Sequence, residues 1–305
     1  MRVKHALKRG PDNTCFKRYV RYLRERQRHE DAKPVSRGGR NTGYVTKMVE
    51  LHNYHFEQIW RWRDTASKCF MKTMFAYLGC RKQCSVHVLT EEEGATVWAN
   101  SLLYVLVPKW DVWSRFVEAA GCTRGFFELE TSMTEVALAK AFHSVVKKLD
   151  EEGVHAWGDW PYRTLTFAQV TRSKEITFAL IVLSVLLAAR SSWRRSMQNA
   201  SPGDSRQTSQ STYQVVREQR GFGPFLAYQA CLNLSYIVSG LYSGEEHAAL
   251  ADGAAGALKR LYPSALVGSG PGTLCQPENR WLLLLNVVQA AAYRQHILSL
   301  VAGQY

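Results

Sequence analysis

Apolar positions recur at helical spacing along most of this chain, and nowhere does a strand-like alternation persist. Residues 57–78 place Ile59, Trp60, Phe70, Met74, Phe75 and Leu78 on one helical face. Thr90 followed by Glu93 is a capping-box spacing and predicts a helix over 91–106. Pro108, suited to a first turn, opens a second over 108–119. Thr131 or Ser132 caps a third, which runs to about Glu151 before Gly153. Further helices are predicted over 165–190, 209–220, 224–239, 245–262 and 280–302, with a polar loop at 199–211. Strand-like stretches are short: His52–Phe56, Ser85–Leu89 and Phe126–Leu129. Residues 14–30 form a basic helix with few apolar positions, and 31–45 a Gly/Arg-rich linker. The expected architecture is all-α: a basic N-terminal extension over 1–45 and a globular helical domain over 46–305.

Composition sharpens this picture. A hydrophobic content of 46% supports a real core, and a net charge of +13 favours an anionic partner, nucleic acid or an acidic membrane surface. The charge is uneven. Residues 1–40 hold 13 Lys/Arg against 4 Asp/Glu, a net of +9 that leaves +4 for the other 265 residues. Arg24, Arg26 and Arg28 in that segment are candidate phosphate contacts. The most apolar run, Phe178 to Ala189, is shorter than the ~20 residues a bilayer span needs. Ser191, Trp193, Arg194 and Arg195 are expected to close it, so it reads as a buried central helix with no membrane partner. Seven cysteines and a basic N-terminus without an apolar stretch predict reduced thiols and an intracellular protein, in the nucleus or an organelle if eukaryotic.

The most informative short stretch is "REQRGFGPFLAYQ", residues 217–229. A basic helix stops at a glycine, two glycines flank one aromatic, and a proline opens an apolar helix. That is the pattern of a helix–hairpin–helix element, with arms at 213–220 and 224–238 inside a hairpin region of 213–239. Gly221 and Gly223 allow close backbone approach, and free N–H groups at the start of the second helix can hold one phosphate without reading a base. Arg217 and Arg220 add charge. The plainer alternative is that Gly221 ends one helix, Pro224 starts the next, and nothing binds.

The wider text resembles a known family: the helical domain of the 5-hydroxymethyluracil DNA kinases and the related glutamyl- or putrescinyl-thymine pyrophosphorylases. The likeness spans about residues 45–262 and marks the chain as a divergent member. An aromatic, a polar residue and Arg-x-x-Asp are matched by Phe56, Gln58, Arg61 and Asp64. Gly-x-Gly-x-Phe-x-Ala-x-Gln is matched by Gly221, Gly223, Phe225, Ala227 and Gln229. A Gly-Pro-Gly-Ala motif is matched by Gly253, Gly256 and Ala257, with Ala255 in place of Pro. The resemblance implies a DNA-glycosylase-like helix–hairpin–helix fold and a role in thymine hypermodification of DNA. It implies a site in which Arg61 holds a phosphate, Asp64 orients it or a nucleophile, and Asn233, Asp252 and Gly253 converge with them. Asn233 departs from the family, where an Asp is usual, and an amide cannot serve as a general base. The family's C-terminal Cys-Glu near a Lys-Tyr is also missing, with Gln289 and Tyr293 in that region.

Three functions therefore stand open: transfer of a group onto an activated 5-hydroxymethyluracil base, a catalytically degenerate nucleic-acid-binding subunit, or a base-excising glycosylase. The expected partner is DNA, with RNA as the alternative, together with separate kinase or other subunits, since no Gly-x-x-x-x-Gly-Lys-Ser/Thr loop occurs in the chain. No cofactor is implied. Cys80, Cys84 and His87, with His52 or His55, have an unusual spacing for zinc, and the cysteines are read as ordinary core or surface thiols. Most tryptophans are read as core. The loop 155–163, "HAWGDWPYR", with Asp159 and Arg163, is the exception, placed to approach a flipped base.

Overall fold

Seven α-helices and two very short strands make up the described residues of the computed structural model, which are Arg21, 65–130, 132–157, 173–201, 203–244 and 247. The helices are α1 (Thr65–Tyr77), α2 (Glu91–Tyr104), α3 (Trp110–Ala119), α4 (Glu135–Glu151), α5 (Lys174–Gln198), α6 (Ser205–Arg217) and α7 (Pro224–Ile237). The strands β1 (Cys84–Ser85) and β2 (Val238–Ser239) pair in parallel, Cys84 opposite Val238 and Ser85 opposite Ser239. Backbone contacts divide the chain into one unit of Thr65–Ala249 and another of Met1–Asp64 with Leu250–Tyr305. All of these elements belong to the first unit. The linker 31–45, the stretch His52–Phe56, most of the basic helix and the predicted helix 280–302 lie outside the described residues. So does all but one residue of the helix predicted over 245–262. Of the basic helix only Arg21 is described, helical and exposed.

The core is built around α2 and α5. Every residue of α2 from Gly94 to Tyr104 is buried, and the helix packs against α5 on one side and α7 on another. This helix is buried nearly all round, and its start is fixed by its cap. Thr90 Oγ1 accepts from the Glu93 N–H at 3.2 Å, and the Glu93 carboxylate accepts from the Thr90 N–H at 2.8 Å. The third expected helix starts later than predicted. Its cap is Thr134, whose hydroxyl accepts from the Ala137 N–H, rather than Thr131 or Ser132.

Four further sequence expectations change. The apolar run of 178–189 does not end at Ser191–Arg195; α5 continues to Gln198 because Trp193 and Ser196 face the core while Arg194 and Arg195 face outward. At 25 residues α5 is long and apolar enough to cross a membrane by length and composition, yet it packs against α2, α4 and α6. The polar segment 199–211 is only half loop. Asp204 accepts from the Gln207 N–H and starts α6, and the hydroxyls of Thr208 and Ser209 donate back to the Asp204 and Ser205 carbonyls at 2.9 and 2.7 Å. Phe126–Leu129 is no strand, because a side chain substitutes for a partner strand. Buried Asn100 donates to the carbonyls of Thr96 and Phe127, both at 2.9 Å, and accepts from the Phe127 N–H at 2.8 Å. Of Ser85–Leu89, only Ser85 joins a strand; Val86–Val88 form a 3₁₀ turn.

Candidate nucleic-acid interface

α6 and α7 are joined by a short turn and both pack on the core, so the turn is held at its two ends. The first arm, expected over 213–220, is the last part of α6 and ends at Arg217, and the second, expected over 224–238, is α7 and ends at Ile237. The Glu218 N–H closes α6 on the Gln214 and Val216 carbonyls, and the Phe222 N–H reaches the Gln219 carbonyl at 3.2 Å. Gly221 has φ of +87°, in the left-handed region where a side chain is strained, and a Cβ there would lie 2.8 Å from Ile181 Cδ1. This glycine is required by the fold. Phe222, 4% exposed, plugs the hairpin into the core. The Tyr213 hydroxyl donates to the Pro224 carbonyl at 3.3 Å and braces the first turn of α7 against α6.

Gly223 is different. It is the N-cap of α7, with an ordinary φ of −71° and ψ of 175°, and a Cβ there would meet nothing within 4 Å. Neither its backbone nor its packing requires a glycine. No side chain caps the helix at this end, and Pro224 at the first position has no N–H to donate. The N–H groups of Phe225 and Leu226 therefore lead the positive end of α7 toward a surface formed by exposed Gly223, Pro224 and Phe225.

Arg217 and Arg220 precede this turn; Arg217 hydrogen-bonds the Tyr213 side chain, and neither arginine forms an ion pair among the described residues. The neighbouring carboxylate of Glu218 is taken by Arg195, with one contact at 3.0 Å. Among the described residues, the hairpin thus keeps two cations without a carboxylate partner beside an uncapped helix start.

The remaining motif residues of α7 descend from surface to core at intervals of one turn. Phe225 is 48% exposed, Gln229 is half-buried, and Asn233 is 2% exposed. Asn233 Nδ2 donates to the Ser101 carbonyl of α2 at 3.4 Å, so this amide sits in the α2–α7 contact rather than at an open surface. Ala227, wholly buried, fills the close approach behind the hairpin.

The other expected site residues, Arg24, Arg26, Arg28, Phe56, Gln58, Arg61, Asp64, Asp252, Gly253 and Gly256, lie outside the described residues, as do Asp159 and Arg163. Trp157, in the loop 155–163, is turned inward: its ring stacks on Phe116 at 5.3 Å and meets Phe178 edge-on at 5.5 Å. Sequence reasoning missed a buried cluster behind the hairpin. The Tyr242 hydroxyl donates to the His247 carbonyl at 2.7 Å and lies 3.2 Å from His247 Nδ1, and the Tyr213 ring stands 4.4 Å from the imidazole. Burial, then the charge of Arg206, pushes His247 down to about 4. No spacing in the sequence signals this cluster.

Residues 103–289 match the family described as 5-hmdU DNA kinase, helical domain. The chain belongs to this family. The match covers more than half of the sequence and includes the whole hairpin, Asn233, Asp252, Gly253 and Gly256. It begins well after Phe56, Gln58, Arg61 and Asp64, so the family assignment rests on the hairpin half of the resemblance and not on the upstream motif. No curated protein and no solved structure matches the chain significantly. The predominantly helical fold agrees with a helical domain of this family.

Proposed function

We propose that this protein binds duplex DNA in thymine hypermodification, holding a backbone phosphate on the hairpin between α6 and α7. The observation that carries this reading is Gly223. It is a glycine that its own fold does not need, at an uncapped helix start preceded by two arginines that no described carboxylate neutralises. Close approach of an external anion accounts for all three features at once. The family supplies the context: it is described as the helical domain of a 5-hmdU DNA kinase, which points to DNA as the partner.

Gly223→Asp tests the reading because it separates binding from folding. An Asp at an N-cap stabilises the helix by capping its N–H groups and favouring its dipole. The same carboxylate repels a phosphate from the same groups. The expected outcome is an unchanged or slightly raised unfolding midpoint with DNA affinity reduced on the order of tenfold, about 1.4 kcal/mol. Unaltered affinity at matched salt overturns the hairpin as the contact.

A second reading concerns chemistry at the base, with Arg61, Asp64, Asn233 and Asp252 as the transfer site. The burial of Asn233 against Ser101 favours a binding subunit over such a site. Mass spectrometry of nucleosides from 5-hydroxymethyluracil DNA incubated with the protein and its partner kinase decides between them. A new modified nucleoside that disappears in Arg61→Ala supports transfer, and none supports binding alone.

A further inference from the structure

The turn joining α1 to β1 carries two cysteines whose sulfur atoms stand 2.7 Å apart, Cys84 donating its S–H toward Cys80. Both are free thiols and half-buried, and the residues between them, Arg81, Lys82 and Gln83, are exposed. Backbone structure fixes each sulfur separately. On one side, the Cys80 N–H donates to the Phe75 carbonyl at 2.9 Å and the Gly79 N–H to the Ala76 carbonyl at 3.3 Å, the doubled closure of a helix C-terminus. On the other, Cys84 is paired in β1 against Val238, and its carbonyl accepts from the Ser239 hydroxyl at 3.2 Å. The Gln83 side chain adds a bond to the Ser235 carbonyl of α7. Two thiols held close by separate anchors already have most of the loop between them closed.

We propose that Cys80 and Cys84 are a reversible modification site that closes to an intrachain disulfide on exchange with a low-molecular-weight disulfide. Burial and the adjoining Cys80 sulfur push the Cys84 thiol up to about 11, so Cys84 is held protonated and first attack falls to Cys80. The Cys80 sulfur, having released its proton to solvent, displaces one thiolate from the small disulfide and forms a mixed disulfide. Cys84 then releases its proton to solvent and attacks the Cys80 sulfur, and the second small thiolate leaves. Two protein thiols are oxidised and one small disulfide is reduced to two thiols. The cations of Arg81 and Lys82 favour an anionic reagent such as oxidised glutathione. Closure ties the end of α1 covalently to the strand that pairs with the end of α7, and so to an arm of the hairpin.

The test uses the full chain, reduced, exposed to oxidised glutathione, quenched by alkylation and digested with trypsin. Cleavage after Lys72, Arg81, Lys82 and Lys109 releases 73–81 and 83–109, each with one cysteine. The expected product joins these two peptides, with loss of two alkylation sites and a higher unfolding midpoint that dithiothreitol reverses. Cys84→Ser should stop at a stable glutathione adduct on Cys80. Any of four results overturns the proposal: both thiols still fully alkylated, a persistent adduct without the cross-link in the unmutated chain, pairing of either cysteine with another, or a stoichiometric zinc ion protecting both thiols in the purified protein.

Discussion

Single atoms decide where this fold tolerates change. Gly94 lies in α2 beneath the indole of Trp193, and a Cβ added there would come within 2.0 Å of Trp193 Cε2. The indole is rigid and 3% exposed, so it cannot retreat without opening the α2–α5 contact. Gly94→Ala is therefore expected to lower stability by about 1–3 kcal/mol despite the better helix propensity of alanine, measured by chemical denaturation. His247 sets a pH limit of a different kind. It is buried and neutral, with the hydroxyl of Tyr242, the ring of Tyr213 and the charge of Arg206 around it. In the unfolded chain it takes a proton near its ordinary value of about 6.5. In the folded chain it does so only near 4. Between these values the unfolded state binds more protons, so stability is fully present above the upper value and declines as pH falls toward the lower one. His247→Gln should flatten the stability profile in that window; a slope equal to that of the unmutated protein would mean the imidazole is not the group responsible.

Elements show which signals a sequence carries and which it cannot. The capping box at Thr90 was legible because all its partners lie within four residues. Thr90→Ala should cost about 1 kcal/mol, read as a lower denaturation midpoint, since α2 is the most buried helix and Thr90 supplies the side-chain cap at that end. The turn between α6 and α7 was legible for the same reason, since the glycines and the proline that punctuate it are contiguous, although α6 already ends at Arg217 rather than at Arg220. What stayed hidden depends on distant partners. Glu91 and Glu92, in the acidic first turn of α2, each meet an arginine of α5. Arg194 contacts Glu91 at 2.6 Å, and Arg190 contacts Glu92 at 2.7 Å, across 103 and 98 residues of chain. Arg194 accordingly holds the Glu91 carboxyl below its usual range. Asn100 is the stronger case. Nothing around it in the sequence indicates that its amide closes the loop at Phe127, 27 residues away, which is why a segment with strand composition forms no strand. Asn233 likewise reads as a missing catalytic carboxylate by position in a motif, while its burial against Ser101 depends on α2.

At the scale of the whole molecule, the hairpin and most of the net charge lie in different stretches of sequence. The unit of Thr65–Ala249 holds the hairpin, whereas residues 1–40 hold 13 of the 39 Lys/Arg and a net of +9 out of +13. A single phosphate held at a helix start fixes position and orientation but supplies little of the affinity of a DNA-binding protein, which comes mainly from cations that release condensed counterions. The two contributions should therefore separate under salt. On duplex DNA, removing one phosphate-neutralising cation lowers the slope of log affinity against log salt by about 0.9. Deleting residues 1–40 should lower that slope by several such steps and weaken binding most at low salt. Gly223→Asp, which disturbs one phosphate, should lower it by about one step and weaken binding more evenly across salt concentrations. Affinity titrations of both variants against duplex DNA over a range of salt check this. Equal slopes for the full chain and the truncated one would place the electrostatic contact inside the residues that remain. That result would also leave Arg217 and Arg220 on the hairpin as leading candidates for the cations that set it.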